Sequence, residues 1–158
     1  MAEETAALVR RFAAGADQLA AVVASLPGEA PGTRPAEAEW SPAEILAHLA
    51  DAEVLAGERF RRTIADTDPP IQPLAQVDWA EHLRYRERDP DIALAAFRAL
   101  RAANAEILRL VSAEAWERTG VHSIIGPTSL LDQVQSFADH TEEHIAQIAA
   151  MRGGVPVD

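Results

Sequence analysis

The sequence predicts an all-α protein built as a four-helix bundle, and three observations predict it. Ala, Leu, Arg and Glu, all good helix formers, are abundant, whereas Gly and Pro gather in a few places instead of scattering. Between those breaks apolar residues recur at helical spacing, and no segment alternates with period two over enough residues to make a strand. Four helices of this size bury a core most simply against one another. The 158 residues argue for one domain, 1–158, with its own core.

The first helix is expected over 3–26, where Leu8, Phe12, Leu19, Val22, Val23 and Leu26 repeat and Arg10, Arg11 and Asp17 fall between them. Pro27-Gly28 ends it, and 27–35, with three prolines and two glycines, is a connection. Ser41-Pro42-Ala43-Glu44 opens the second helix with an N-cap serine, a proline at the first helical position and a glutamate three residues after the cap. That helix runs through Ile45, Leu49, Leu55 and Phe60 to about Asp66, where Asp68-Pro69-Pro70 stops it. A connection over 68–89 follows, with a helical turn or two around 79–88. It is longer than an antiparallel neighbour requires, so it is expected to cross the bundle and leave the second and third helices parallel. Asp89-Pro90 repeats the cap-and-proline signal and opens the third helix, through Ile92, Leu94, Phe97, Leu100, Ile107, Leu108 and Val111. Gly120, Gly126 and Pro127 make 119–128 the next break. The last helix opens at Thr128 or Ser129, continues through Val134, Phe137, Ile145 and Ile148 to Arg152, and closes at Gly153-Gly154.

Composition removes several classes of function. With 14 basic and 25 acidic side chains the formal charge is −11, which lacks the footprint of a nucleic-acid or anionic-membrane binder. Absence of cysteine excludes disulfides, iron–sulfur clusters and a protein thiol nucleophile, so a metal site must use His, Asp and Glu. All 14 basic residues are Arg, which excludes a Schiff-base lysine. Met1-Ala2-Glu3-Glu4 has no signal-peptide character and no apolar run reaches membrane-spanning length, so a cytoplasmic protein is expected.

Five histidines carry the chemistry. His140 and His144 are four apart, the spacing with which one helix presents two imidazoles to a single ion. His48 shares a face with Ile45, Ala52 and Leu55 and points at least partly inward. If the second and fourth helices are antiparallel, His48 lies about 9 Å from the start of one and the pair about 15 Å from the end of the other, close enough in level to converge. Three neutral imidazoles would bind Zn²⁺, Ni²⁺ or Fe²⁺ and leave a position open to water or substrate. His82 and His122 fall in connections, where an ordinary loop role is favoured, although His122 could close over the site. Glu44 and Asp51 lie near the His48 face and Glu143 flanks the pair; Glu143 and Asp51 are the candidate catalytic carboxylates, as general base or partner to a ligand, and Gln147 sits beside His144. Trp40, Trp79 and Trp116 lie near loops or helix ends, as core plugs or lining a pocket mouth. His140-Thr141-Glu142-Glu143-His144 fits the H-x-x-E-H string of inverted zinc peptidases, but only 14 residues remain for their downstream carboxylate ligand. The Glu-x-x-His pairs of di-iron bundles are absent.

Trp40-Ser41-Pro42-Ala43-Glu44-Ile45-Leu46-Ala47-His48-Leu49 resembles the W-S-x-x-E-h-h-x-H-h opening of the DinB/YfiT-like superfamily. Gly126-Pro127-Thr128-Ser129-Leu130, followed by His140-Thr141-Glu142-Glu143-His144-Ile145-Ala146-Gln147-Ile148, resembles its closing segment. The resemblance spans nearly the whole chain. It implies a four-helix bundle with a crossover and a divalent metal held by three histidines, at His48, His140 and His144. Members include bacillithiol S-transferases, mycothiol-dependent maleylpyruvate isomerases, which this chain resembles less, and proteins named as metal-dependent hydrolases. The implied chemistry is a metal holding a low-molecular-weight thiol as thiolate for attack on a small electrophile. The expected function is therefore a metal-dependent thiol S-transferase; the alternatives are a hydrolase in which the metal ionises water, and a non-catalytic stress-related binding protein. A small-molecule substrate and a homodimer through Ala-rich helix faces are expected, with no nucleic acid or membrane partner.

Overall fold

The computed structural model describes residues 2–28 and 30–153. Four long helices form the bundle: α1 (Ala2–Ala24), α2 (Pro42–Ala65), α4 (Pro90–Leu110) and α5 (Leu130–Ala150), with a short α3 (Gln76–His82) in the long connection. Sequence-encoded caps set three of the starts. Ser41 accepts from the Glu44 N–H while the Glu44 carboxylate accepts from the Ser41 N–H. Ser129 and Asp132 repeat this box at α5, and Asp89 accepts from two backbone amides ahead of Pro90. A 3-10 turn, Met151–Gly153, ends α5; Gly154 of the expected stop, like Glu29 of the first connection, lies outside the described residues.

Side-chain register sets the topology. Glu53 meets Arg101 and Gly57 meets Asn104, so α2 and α4 run parallel, as the long connection predicts. Thr63 meets Gln133 while His48 meets His140, so α5 runs antiparallel to α2. Arg98 reaches Asp17 while Arg101 reaches the Phe12 carbonyl, so α1 runs antiparallel to α4 and therefore parallel to α5, to which Arg11 ties it through Asp139 and Glu142. The crossover carries the chain back along the bundle through α3 and a 3-10 turn at Tyr85–Glu87, where Tyr85 is fully buried.

The break over 119–128 differs from expectation. It is a hairpin of β2 (Thr119–His122) and β3 (Gly126–Ser129), and β1 (Pro70–Ile71) adds parallel to β2, giving a sheet ordered β1-β2-β3. Gly120 permits the close approach, since a Cβ there would meet the Ile71 side chain at 2.6 Å, and Gly126 turns the hairpin at φ 82°.

The core falls into two apolar clusters. Leu8, Phe12, Phe60, Leu108 and Phe137 fill one end, and Leu19, Ile45, Leu49, Phe97 and Ile148 the other. Between them lies a polar layer. Arg101, 1% exposed, donates to Glu53 (2.9 Å), to the Phe12 carbonyl (2.9 Å) and to Thr141 Oγ1 (2.8 Å), and is flanked by the Phe12 and Phe97 rings. Asn104 donates to the other Glu53 oxygen at 2.8 Å. One guanidinium thereby ties all four long helices at the level of the histidines.

Candidate metal centre

His48 is wholly buried on α2, and the half-buried His140 and His144 stand one turn apart on the facing side of α5. Their Nε2 atoms converge: His48 lies 3.0 Å and His144 3.2 Å from His140. Each residue offers a ring nitrogen within 4.8 Å of the other two. His140 Nε2 carries either one proton or one lone pair, so it satisfies one of these neighbours and leaves the other without a partner. Two nitrogens each about 2.0–2.1 Å from one ion stand roughly 2.9–3.4 Å apart at ligand angles near 90–109°. The observed separations match that spacing, so the donor set fits a divalent cation.

The rest of the site keeps these rings neutral and oriented. Burial, then the neighbouring His140 and His144, pushes His48 down to about 3. Burial, then His144 and the Arg101 charge, pushes His140 down to about 4. Burial also holds His144 below its ordinary value, against the opposing pull of Gln147 and Glu143. Gln147 Oε1 lies 2.9 Å from His144 Nδ1, where it fixes the proton on that nitrogen and leaves Nε2 bare. Trp40 covers the other side of His48, with ring centres 5.1 Å apart, and Tyr85 lies beyond at 6.5 Å. His48 Nδ1 is buried without a hydrogen-bond partner among the described residues, so its Nε2 is the nitrogen that faces other polar atoms.

The expected carboxylates take different places. Asp51 is held by Arg88 at 2.7 Å, and together with burial it pushes the Tyr85 hydroxyl above its ordinary value. Glu143 is exposed on the rim, where with Ser136, Asp139 and His140 it borders an open groove of about 450 Å³. Glu44 is 3% exposed and serves the cap and Arg34 instead. His82 is exposed, with Nδ1 2.8 Å from the Asp78 carbonyl. His122 does not close over the site; its Nδ1 accepts the Ile124 and Ile125 amides of the hairpin turn. Trp116 is a core plug at 6% exposure.

The sequence reading missed Glu53, Arg101, Asn104 and Thr141. Their signal was present: Glu53 follows Leu49 by four and precedes Phe60 by seven, and Arg101 follows Phe97 by four. Polar residues standing on an apolar stripe must be buried and paired with each other.

Bundle topology and three facing imidazoles define a class, the helical-bundle proteins with an inward-facing histidine centre. Residues 11–148 match the DinB superfamily, and the chain belongs to it. It is 30% identical over 112 residues to a protein of Oceanobacillus iheyensis named "Putative metal-dependent hydrolase", a match covering 71% of this chain and 64% of that protein. A Bacillus cereus protein with the same name is 26% identical over 113 residues, covering 72% of this chain and 65% of the relative. The chain thus spans just under two thirds of the length of these relatives. Among solved structures, YfiT from Bacillus subtilis, described as "a probable metal-dependent hydrolase with an unusual four-helix bundle topology", superposes with a TM-score of 0.87 at 19% identity, over 98% of this chain and 91% of that one. No helix is long and apolar enough to cross a membrane among the described residues.

Proposed function

We propose that this protein is a metal-dependent hydrolase of a small molecule, with His48, His140 and His144 holding one divalent cation. The convergence of three neutral Nε2 atoms within ligand spacing carries the reading. The hydrolase names of the relatives support it, and none of the relatives named above carries a transferase name, so hydrolysis takes precedence over thiol transfer. A divalent cation held by these three imidazoles would supply Lewis acidity and would make water a stronger acid.

The chain's own residues supply the rest. Gln147 keeps the His144 proton on Nδ1, and Trp40 shields His48 from solvent. Glu143, exposed on the rim near His140, is the carboxylate to accept a proton from attacking water. Asp51 holds Arg88, whose guanidinium lies 5.6 Å from the centre of the Tyr85 ring beside His48, and is a positioning residue rather than a base. The test is a panel of esters and amides beside a low-molecular-weight thiol offered with a chlorinated or epoxide electrophile. Ester or amide turnover that is lost on chelation and in His140→Ala supports the proposal. Turnover only with the thiol overturns it in favour of transfer.

A further inference from the structure

The seam between α2 and α5 continues past the histidines, and Arg59 occupies it. Eleven residues separate Arg59 from His48, which at 100° per residue returns it to nearly the same face of α2. Its guanidinium lies 5.6 Å from the centre of the Phe137 ring, and Phe137 is one turn before His140 on α5. The charge therefore stands at the level of Phe137, one turn of α5 from His140, on the face of α2 that carries His48.

Arg59 differs from the buried Arg101. All three guanidinium nitrogens of Arg101 are bonded, with Glu53 as its carboxylate. Arg59 is half-buried and makes no ion pair among the described residues, in a chain with 25 acidic side chains. Its one hydrogen bond among the described residues goes to a neutral acceptor, the Gln72 carbonyl. Its Nε is buried without an acceptor among the described residues. Burial lowers its pKa, and the charge of the adjacent Glu58, which makes no ion pair with it, opposes this. A cation enclosed without a counter-charge is costly, and an anion delivered by a ligand would remove that cost.

We infer that Arg59 is a substrate-anchoring residue on the α2–α5 seam, binding a carboxylate or phosphate group of an anionic small molecule whose reacting bond lies over the three histidines. This rests on the reading of the three histidines as the reaction site. It names the substrate class, a small molecule with an anionic group roughly one helical turn from the bond that is cleaved.

The test is calorimetric titration of acetate and, separately, inorganic phosphate into wild-type protein, Arg59→Gln and His140→Ala, with metal content and melting temperature measured on each. Wild type is expected to bind at least one anion saturably, and the stronger arm identifies the group. Arg59→Gln should bind it about tenfold or more weakly, the scale of one charge-assisted hydrogen bond, while keeping wild-type metal content. Should Arg59→Gln melt lower, Arg59→Met, which keeps the stem packed on Phe137, reads the same loss. His140→Ala should lose the metal and keep the anion. Equal binding by wild type and the Arg59 variants, or no saturable binding by wild type, overturns the inference. Binding lost in His140→Ala but kept in Arg59→Gln places the anion on the metal and overturns it too. Metal retained in His140→Ala contradicts the metal centre alone and leaves the Arg59 result to be read by itself.

Discussion

His140 Nε2 stands between two other Nε2 atoms and can satisfy one, which concentrates the functional reading on a single nitrogen. Burial of these rings, and then their crowding, predicts how the metal-free protein responds to pH. The folded values of His48 and His140 lie near 3 and 4, below the ordinary 6.5, so the unfolded chain takes up protons first as pH falls. Their contribution to stability is thus complete above about pH 6.5 and is lost progressively toward pH 4 for His140 and pH 3 for His48. Urea unfolding of chelator-treated protein at pH 7, 6 and 5 should give falling stability, and the His48→Ala variant should flatten that slope; an unchanged slope would contradict the buried neutral imidazoles. Much of this was legible from residue type and spacing, because two histidines four apart on one helix and one on another leave few arrangements in an antiparallel pair. Arg59 was not, since its significance lies in the carboxylate it lacks, and an absent partner leaves no trace in a local pattern.

Helices α2, α4 and α5 are held in register by the polar layer, and register is what brings His48 opposite His140. Replacing Arg101 with Met would strand the Glu53 carboxylate, 1% exposed, without its counter-charge. A loss of about 3–5 kcal/mol is expected in urea unfolding, with part of it recovered in the Glu53→Met/Arg101→Met double variant. A loss below 1 kcal/mol would mean that the layer does not hold the helices. Gly57 lets α4 approach α2 closely, since a Cβ there would meet Asn104 Oδ1 at 2.6 Å. Gly57→Ala should cost about 1–3 kcal/mol by the same measurement, and a stabilised variant would contradict the packing. The caps of α2, α4 and α5 were readable because Ser-Pro-x-Glu, Asp-Pro and Ser-x-x-Asp act within one turn. The hairpin was not: strands of four residues, one with Gly120 and the other with Pro127, carry no periodicity, and their partner β1 lies some 50 residues away.

At the scale of the whole molecule, the crossover makes the site. Parallel α2 and α4 leave α5 to pack antiparallel along α2, and that pairing sets His48 and the His140/His144 pair at one level. The length of the connection between the second and third helices was the one sequence signal for this, whereas the choice of neighbours in the bundle comes from packing that no single segment records. A cation bound only by the folded bundle must stabilise it: at a hundredfold excess over Kd the gain is about 2.7 kcal/mol, or roughly 5–10 °C in melting temperature for a chain of this size. Chelation should remove that increment and leave helical circular dichroism unchanged; a melt indifferent to metal would contradict the linkage. The central claim is tested most directly by elemental analysis of protein purified without a His tag, beside His48→Ala, His140→Ala, His144→Ala and His82→Ala. About one equivalent of zinc, nickel or iron in wild type and His82→Ala, and none in the other three, is the predicted result. No metal in wild type, or a full equivalent retained in any of the three, would contradict it.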